Sequence, residues 1–174
     1  MATTKSETEI AREVVSEYFD ALADQDLERA TATWKPGALD RIFGFGELIA
    51  PEGIRDYFGT LFAAAPDFEL EVLDMIAEGS QVAVRWRAKG TFSGTAKFQG
   101  LTPNGRPIEL EGADVLTVED GKIVANEAYT NGIVFAQQVG ALPPSGSGAE
   151  RAMAAAFNAK TALAKRLRST EARP

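Results

Sequence analysis

The first apolar residues of the chain recur at the spacing of an α-helix. A row of residues placed four apart runs through Ile10, Val14, Tyr18 and Leu22. Residues four apart lie above one another on one side of a helix, so this row predicts an amphipathic helix over Glu7 to Ala23. Tyr18 gives the row its one polar tip, because the other three side chains are aliphatic.

Two further helices and a strand region are predicted next. Helical spacing resumes after Asp26 and continues through Trp34, until Lys35-Pro36-Gly37 ends it. Residues Ala38 to Ile49 fit an extended strand, or a strand pair, interrupted by glycine. Pro51 then suits the first turn of a third helix, which ends at Ala65-Pro66-Asp67. The apolar stripe of this helix contains Ile54, Tyr57, Phe58, Leu61 and Phe62.

From Phe68 onward the pattern changes to strands separated by short turns. The predicted strands cover Phe68 to Ala77, Gln81 to Phe92, Arg106 to Val118 and Lys122 to Thr130. Consecutive strands joined by short turns pair mainly in antiparallel fashion. Helices followed by a long meander predict an α+β fold, in which a curved, mostly antiparallel sheet packs against the N-terminal helices.

The C-terminal part of the chain contains a linker by composition. Residues Gly132 to Gly140 fit either a short helix or an edge strand. Proline, serine and glycine dominate residues 141–148, and a final helix is predicted over Ala149 to Arg168. We therefore divide the chain into a domain over residues 1–140, a linker over 141–148, and a C-terminal helix and tail over 149–174. This helix can dock on the domain, on a second subunit or on an acidic partner.

The composition restricts the chemistry. The 174 residues include no cysteine and no histidine, which removes thiolate nucleophiles and the commonest general base and metal ligand. Acid–base chemistry falls to carboxylates, tyrosines or lysines, and we expect neither a metal nor a cofactor. A net charge of −7 argues against nucleic-acid binding, which needs clustered lysine and arginine. Without the pattern of a secretory signal or a membrane span, a cytoplasmic protein with no membrane partner is expected.

One carboxylate shares a strand face with apolar residues. Alternation places Asp114 in the same row as Ile108, Leu110 and Leu116. A carboxyl group in such surroundings loses hydration, so its pKa rises and it can keep a proton and donate a hydrogen bond. The alternative is a structural aspartate that pairs with an inward arginine or caps a loop. Tyr18 has a similar alternative, as a core tyrosine bonded to a backbone carbonyl.

Aromatic and amide side chains supply further candidates. Those that fit either the core or the wall of a pocket are Trp34, Trp86, Phe92, Phe58 and Phe62. Alternation in the last strand places Tyr129 on one face with Ile123 and places Asn126 on the other. Asn131 follows at the strand end, where asparagine most often forms a turn. The sequence Gly44-Phe45-Gly46 lacks the helix start that a phosphate-binding loop requires.

The order of these elements resembles the nuclear transport factor 2-like superfamily, the cone-shaped α+β fold of ketosteroid isomerase and the SnoaL-like polyketide cyclases. The resemblance covers about residues 8–140 and rests on EYFDALADQDLERATATW, PEGIRDYFGTLFAAAPDF, AVRWRAKGTFSG, GRPIELEGADVLTVEDGKIV and FAQQVG. It implies a curved sheet that encloses an apolar pocket for a small hydrophobic substrate. It also implies a homodimer.

The resemblance further implies roles for individual residues. Tyr18 and Asp114 fall where ketosteroid isomerases carry the tyrosine and the protonated aspartic acid of their oxyanion hole. Ile42 falls at the isomerase base, and Asp40, two residues earlier on the same strand face, is the candidate replacement. Asn131 falls at the aspartate of SnoaL-type cyclases, where an amide can orient a substrate but cannot take its proton.

These observations support three hypotheses. The leading one is a cofactor-independent isomerase or cyclase that acts on a small hydrophobic carbonyl compound, polyketide- or steroid-like, through an enol or enolate. Asp40 would be the base, Tyr18 and Asp114 would bind the oxyanion, Asn131 would orient the substrate, and Tyr129 would join the aromatic candidates in shaping the pocket. The alternative, favoured by Ile42 and Asn131, is a non-catalytic binding or assembly module of the same fold. The third is an epoxide hydrolase, for which no carboxylate and arginine arrangement is evident.

Overall fold

A computed structural model describes residues 5–171 and contains five helices and six strands in that range. The helices are α1 (Glu7–Ala23), α2 (Leu27–Ala32), α3 (Glu52–Ala64), α4 (Gly132–Gln138) and α5 (Gly148–Glu171). The strands are β1 (Trp34–Phe43), β2 (Gly46–Ile49), β3 (Glu69–Glu78), β4 (Gln81–Phe92), β5 (Arg106–Glu119) and β6 (Lys122–Thr130). The α+β class predicted from the sequence is confirmed.

The six strands form one sheet in the order β2-β1-β6-β5-β4-β3. Strands β3 to β6 follow one another as an antiparallel meander. Two-residue turns join β3 to β4 and β5 to β6, and residues 93–105 join β4 to β5. The exception is the contact between β1 and β6, which is parallel. This parallel pair brings a strand from the first quarter of the chain beside the last strand of the meander, and it holds part of the candidate site.

Helix α1 covers the inner face of the sheet with its apolar stripe. Its start is fixed by a capping box, in which the Ser6 hydroxyl accepts from the Glu9 backbone N–H while the Glu9 carboxylate accepts from the Ser6 backbone N–H. Val15, Tyr18 and Phe19 are buried beneath the helix. Burial of side chains of this size contributes about 1.5–3 kcal/mol each, which outweighs the contribution of the cap.

The second helix is shorter than the spacing predicts. It ends at Ala32, and Trp34 begins β1 instead of closing the helix. The backbone carbonyl of Thr33 accepts a 2.9 Å hydrogen bond from the N–H of Ile123, so pairing with β6 takes over where the helix ends. The expectation that the helix runs through Trp34 was therefore wrong, because strand pairing overrides a continued helical spacing.

A bulge in β6 changes which side chains face inward. Thr117 pairs with Ala125 and Val118 pairs with Ile123, so Val124 is an extra residue in β6. Ile123 is therefore buried together with Asn126, and not on the side of Tyr129 as simple alternation predicts. The bulge moves Ile123 to the face of Asn126, and Asn126 and Tyr129 remain on opposite faces as alternation predicts.

The chain after β6 forms two helices. Residues 132–138 adopt the helical alternative as α4, and the side-chain oxygen of Asn131 caps it by accepting from the N–H of Val134. Helix α5 follows the predicted linker, and its apolar residues Met153, Phe157 and Leu163 are exposed to solvent. None of the helices within residues 5–171 has the length and apolarity needed to cross a membrane.

Candidate functional site

A cavity of about 90 Å³ lies between the helices and the inner face of the sheet. Most of its wall is aromatic or aliphatic, with side chains from α1, α3, α4 and the strands. The polar residues in this wall are Tyr18, Asp40, Tyr57, Trp86, Asp114 and Thr130. The cavity therefore combines an apolar interior with two carboxyl groups, which is the composition expected of a small-molecule site.

Asn126 joins the two carboxyl groups. Its Nδ2 donates to Oδ1 of Asp40 over 3.0 Å and to Oδ2 of Asp114 over 2.8 Å. An amide nitrogen carries two hydrogens, so one goes to each aspartate. The Asn126 Oδ1 is buried and has no hydrogen-bond partner among the described residues. Asn126 thus acts only as a donor here, and it holds the two carboxyl groups a few ångströms apart.

The strand pairing explains why these three residues meet. Asp40 and Asn126 are direct partners across the parallel pair of β1 and β6. Asp114 pairs with Ala128 in the next ladder, so it lies diagonally across from Asn126 on the same inner face. All three side chains are buried, with exposed fractions of 1% for Asp40, 6% for Asp114 and 2% for Asn126.

Trp86 supplies the second hydrogen bond to Asp114. Its indole Nε1 donates to Oδ1 of Asp114 over 2.8 Å. The indole reaches this oxygen by lying across Gly112, the direct partner of Trp86 on β5. A Cβ atom built on Gly112 would lie 2.3 Å from the Trp86 ring, so a residue with a side chain does not fit there. The absence of a side chain at Gly112 is what allows Trp86 to reach Asp114.

Burial raises the pKa of both aspartates. For Asp40 the pKa rises to about 7, first through burial and second through the negative charge of Asp114, while the bond from Asn126 acts in the opposite direction. For Asp114 burial raises the pKa to about 6 against the hydrogen bonds from Trp86 and Asn126. The two groups interact, so they titrate as a pair that holds one proton just below neutrality.

Two tyrosines face the carboxyl groups from the helices. Burial, and then the charges of Asp40 and Asp114, raise the pKa of Tyr18 well above its ordinary value. The same causes in the same order raise the pKa of Tyr57 on α3. Both hydroxyls therefore stay protonated at neutral pH and remain hydrogen-bond donors toward the cavity.

The structure brings five of the predicted site residues together in the cavity wall. They are Tyr18, Asp40, Asp114, Trp86 and Phe58. Ile42 also lines the cavity, two residues beyond Asp40 on the same face of β1. The hydrogen bonds of Asp114 come from Trp86 and Asn126, and no ion pair with an arginine is found for it among the described residues.

Three aromatic candidates lie in the core behind this wall. Trp34 packs edge-on against Tyr18 with ring centroids 5.5 Å apart, so it supports that tyrosine from outside the cavity. Phe62 packs between Phe58 and Phe68. Phe92 contacts the ring of Phe135 beneath α4. Their expected position in the pocket wall is corrected to a place in the second layer of the core.

Tyr129 and Asn131 lie outside the cavity. The Tyr129 side chain is 48% exposed, stacks on Phe43 with centroids 4.6 Å apart, and donates its hydroxyl to Glu127. It points to the outer face because Asn126, Ala128 and Thr130 take the inner one after the bulge. Asn131 uses its side-chain oxygen to cap α4. Neither side chain contacts the carboxyl pair in this arrangement.

Two residues of the site carry little signal in the sequence. Alternation places Asn126 on the face opposite Tyr129 and indicates no role for it, because its function depends on β1 lying beside β6. Tyr57 was assigned to the apolar stripe of α3, and the signal that could have singled it out is its polar tip, the same feature that drew attention to Tyr18. Within residues 5–171, no cluster of three or more acidic residues is placed to hold a metal ion.

Comparisons with known proteins agree with this architecture. The family model for SnoaL-like polyketide cyclase matches residues 12–139, so the chain belongs to the SnoaL-like polyketide cyclase family. The match spans the whole of the sheet and ends at α4, which is the part of the chain that forms the cavity. No curated protein matches the sequence.

Solved structures share the nuclear transport factor 2-like fold. AclR from Streptomyces galilaeus is 21% identical, with a TM-score of 0.68 over 96% of this chain and 99% of that one. A SnoaL-like protein from Jannaschia sp. CCS1 is 21% identical, with a TM-score of 0.70 over 82% and 100%. IdmH from Streptomyces antibioticus is 27% identical, with a TM-score of 0.62 over 75% and 98%. They are described as putative enzymes, the first a hydroxylase and the other two polyketide cyclases.

Proposed function

We propose that this protein is a cofactor-independent isomerase or cyclase that acts on a small hydrophobic carbonyl compound through an enol or enolate. The observation that carries the proposal is the pair of buried carboxyl groups, Asp40 and Asp114, bridged by Asn126 in the wall of an apolar cavity. A hydrophobic substrate can pack against the apolar wall, and its carbonyl oxygen can accept hydrogen bonds from the donors that face the cavity.

In the proposed reaction Asp40 is the general base. A base works best when its pKa lies near the working pH, and the pKa of Asp40 is raised to about 7. Its carboxylate takes a proton from the carbon next to the substrate carbonyl, and the electron pair of the broken C–H bond moves onto the carbonyl oxygen. Asp40 then returns the proton to another carbon in an isomerisation. In a cyclisation, the enolate carbon attacks a second carbonyl carbon of the same molecule, the π electron pair of that C=O bond moves onto its oxygen, and this oxygen takes the proton from Asp40.

Tyr18 and Asp114 stabilise the enolate oxygen in this scheme. The Tyr18 hydroxyl stays protonated because its pKa is raised. The pKa of Asp114 is the lower of the two, so the pair's single proton lies mainly on Asp40, and Asp114 donates in the minor form in which it holds that proton. Donors fixed in place before the reaction and shielded from water are worth about 3–4 kcal/mol each in transition-state stabilisation. Tyr57 on α3 is a further donor of the same kind.

The experiment that tests the reaction class measures proton exchange. The protein is incubated in D₂O with a cyclic enone, and deuterium incorporation next to the carbonyl is followed by NMR. We expect Asp40→Asn to lower the exchange rate at least about a hundredfold, the contribution typical of a general base. The matched control is Asp56→Asn, which removes an exposed carboxylate on α3 far from the pair. Exchange that is equally fast in both variants would remove Asp40 as the base.

A second candidate function is a binding module without catalysis. Two observations favour it: Ile42 lines the cavity where ketosteroid isomerases carry their base, and the Asn131 side chain is engaged in capping α4. A binder would take up the enone without any deuterium exchange, and Asp40→Asn would change its affinity alone. The exchange experiment therefore separates the two functions.

A further inference from the structure

The cavity is small for the class of substrate proposed above. Its volume of about 90 Å³ is below the roughly 300–1,000 Å³ of sites that hold drug-sized ligands. A cavity of about 150 Å³ accommodates one benzene ring. The cavity beside Asp40 and Asp114 is therefore smaller than one ring, and a ring that carries the carbonyl group enters it only when a residue of the wall moves.

A larger groove adjoins this cavity. It has a volume of about 400 Å³ and shares Thr130 with the cavity wall. Its other walls are formed by Phe43, Asn131, Ile133 and Leu142 and by the backbone of Gly44 and Gly132. Ile133 is 62% exposed although it is aliphatic. The groove is thus an apolar surface next to the cavity, large enough for the rest of a polycyclic substrate.

Phe45 stands between the two spaces. Its ring lines the cavity and contacts the rings of Phe98 and Phe135. On its other side the ring lies against Gly132, where an added Cβ would be 3.5 Å from it. Gly132 itself belongs to the wall of the groove. Movement of this one ring would join the cavity to the groove.

The turn that carries Phe45 is suited to such a movement. Gly44 and Gly46 flank the ring with φ values of 88° and 146°, which favour glycine. A Cβ added at either position would meet nothing within 4 Å, so there is open space beside both glycines. The Gly44-Phe45-Gly46 sequence does not form a phosphate-binding loop. It places Phe45 in a turn between β1 and β2, with a glycine on each side.

We propose that the groove is a second subsite of the same binding site and that Phe45 is the gate between them. A bound substrate then extends from the cavity into the groove, with its carbonyl end at Asp40 and Asp114 and its apolar remainder against Ile133. This inference rests on the proposed function for the carbonyl end alone. Thr130 Oγ1, buried without a hydrogen-bond partner among the described residues, lies at the junction and is available to a polar substituent.

Two enones of different length test the subsite. The probes are 4-androstene-3,17-dione, with four rings, and 2-cyclohexen-1-one, which is its carbonyl ring alone. Binding is followed by quenching of tryptophan emission, because Trp86 is part of the cavity wall. We expect the four-ring probe to bind at least about tenfold more tightly than the one-ring probe.

Ile133→Arg places a charge in the groove. We expect it to weaken binding of the four-ring probe about tenfold and to leave the one-ring probe unchanged. The control is Ile76→Arg, which alters an equally exposed isoleucine on β3, 66% exposed against 62% for Ile133. Equal affinity of the wild type for both probes, failure to bind either, or an equal effect of Ile133→Arg on both would overturn the subsite.

Phe45→Ala tests the gate. We expect the association rates of both probes in stopped-flow measurements to rise about tenfold, because each must pass Phe45 to reach Asp40 and Asp114. Unchanged association of the four-ring probe, in a variant with the circular dichroism spectrum of the wild type, would overturn the gate. Failure of the proposed reaction looks different: the binding pattern persists, but deuterium exchange is absent or insensitive to Asp40→Asn.

Discussion

The indole Nε1 of Trp86 donates a 2.8 Å hydrogen bond to Asp114 across the ladder between β4 and β5. This bond favours the ionised form of Asp114 and so opposes the effect of burial on its pKa. The hydrogen bond depends on Gly112, because the absence of a side chain there leaves room for the indole ring. The pKa of Asp114 therefore depends partly on Gly112, a residue that carries no side chain.

Gly112→Ala should disturb this bond. The new Cβ would overlap the Trp86 ring, so the indole must move and Asp114 loses a donor. We expect a loss of about 2–3 kcal/mol in the free energy of unfolding, measured with urea, and a further rise in the pKa of Asp114 followed by NMR. Gly59→Ala is the control, because its Cβ would lie 3.4 Å from Leu27 in ordinary contact within a helix. A stable Gly112→Ala variant with an unchanged pKa would contradict this account.

The pH dependence of turnover should be bell-shaped. The pair holds one proton between the two apparent pKa values of about 6 and about 7, and the active form is the minor arrangement in which this proton lies on Asp114 and Asp40 is ionised. We expect deuterium exchange to be fastest in this interval and to fall on both sides. Asp114→Asn keeps a permanent donor, so the fall at high pH should disappear while the maximal rate drops about tenfold to a hundredfold.

Asp114→Asn should also shift the acid limb of the exchange rate against pH, which is the limb that remains in this variant. Without the charge of Asp114, the pKa of Asp40 falls, because that charge is one cause of its rise. The acid limb of the exchange rate should then shift to lower pH. A profile that keeps both limbs in this variant would show that another group titrates at high pH.

Stability should depend on the ionisation of Asp40. A carboxyl group whose pKa is higher in the folded protein binds its proton more tightly there, so its contribution to stability is lost as pH rises from about 4 to about 7. Asp40→Asn cannot ionise. Relative to the wild type, we expect this variant to gain about 1–3 kcal/mol in the free energy of unfolding between about pH 4 and about pH 8.

Urea unfolding at the two pH values provides the measurement. The comparison with the wild type cancels the contribution of other groups, such as Asp67, whose pKa is lowered by its bonds to Thr91 and whose effect has the opposite sign. Asp56→Asn should show no such gain. If Asp40→Asn gained no more in the free energy of unfolding than Asp56→Asn, ionisation of Asp40 would not destabilise the folded protein, and this account would be wrong.

Asn131 should prove to be a structural residue. Its side-chain oxygen caps α4, so Asn131→Ala should cost about 1 kcal/mol in the free energy of unfolding. Asn131→Ser keeps a capping oxygen and should restore most of this stability. With 2-cyclohexen-1-one, which is too short to reach the groove that Asn131 lines, we expect both variants to exchange deuterium at the wild-type rate. A loss of exchange in the serine variant, despite restored stability, would return Asn131 to the substrate-orienting role that the family resemblance implies.

The C-terminal helix should be dispensable for the stability of the domain. Its larger apolar residues, Met153, Phe157 and Leu163, are each more than half exposed. Removal of residues 149–174 should therefore change the Tm by no more than about 4 °C, the shift that corresponds to about 1 kcal/mol. A larger fall, measured by circular dichroism, would show that the helix packs on the domain or on a second subunit in solution.

Most of the fold could be predicted from the sequence because local patterns encode it. Helical spacing identifies α1 and α3, and alternation between glycine turns identifies β3 to β6. The error at Trp34 has a physical cause: the residue continues a helical spacing, but its strand partner lies some 90 residues further along the chain. The parallel pairing of β1 with β6 leaves no local signal.

The candidate site was predictable to the extent that single positions reveal it. Asp114 and Tyr18 are polar tips in apolar rows, and Asp40 shares a strand face with Ile42. The link through Asn126 was not predictable, because an inward asparagine acquires its role only from neighbours on two other strands. Whether Trp34 or Phe92 lines the cavity depends on which side of the wall its ring occupies, and spacing along the chain does not determine this.

The position of Asn126 has a consequence for the order of folding. Its bond to Asp114 spans 12 residues of one hairpin, whereas its bond to Asp40 spans 86 residues. Contacts between distant parts of a chain form late, because closing a long loop costs more entropy. The hairpin of β5 and β6 can thus form the bond between Asn126 and Asp114 early, and docking of β1 then adds the bond between Asn126 and Asp40. Protection of the Asn126 side-chain amide from hydrogen exchange would then mark the moment at which refolding is complete.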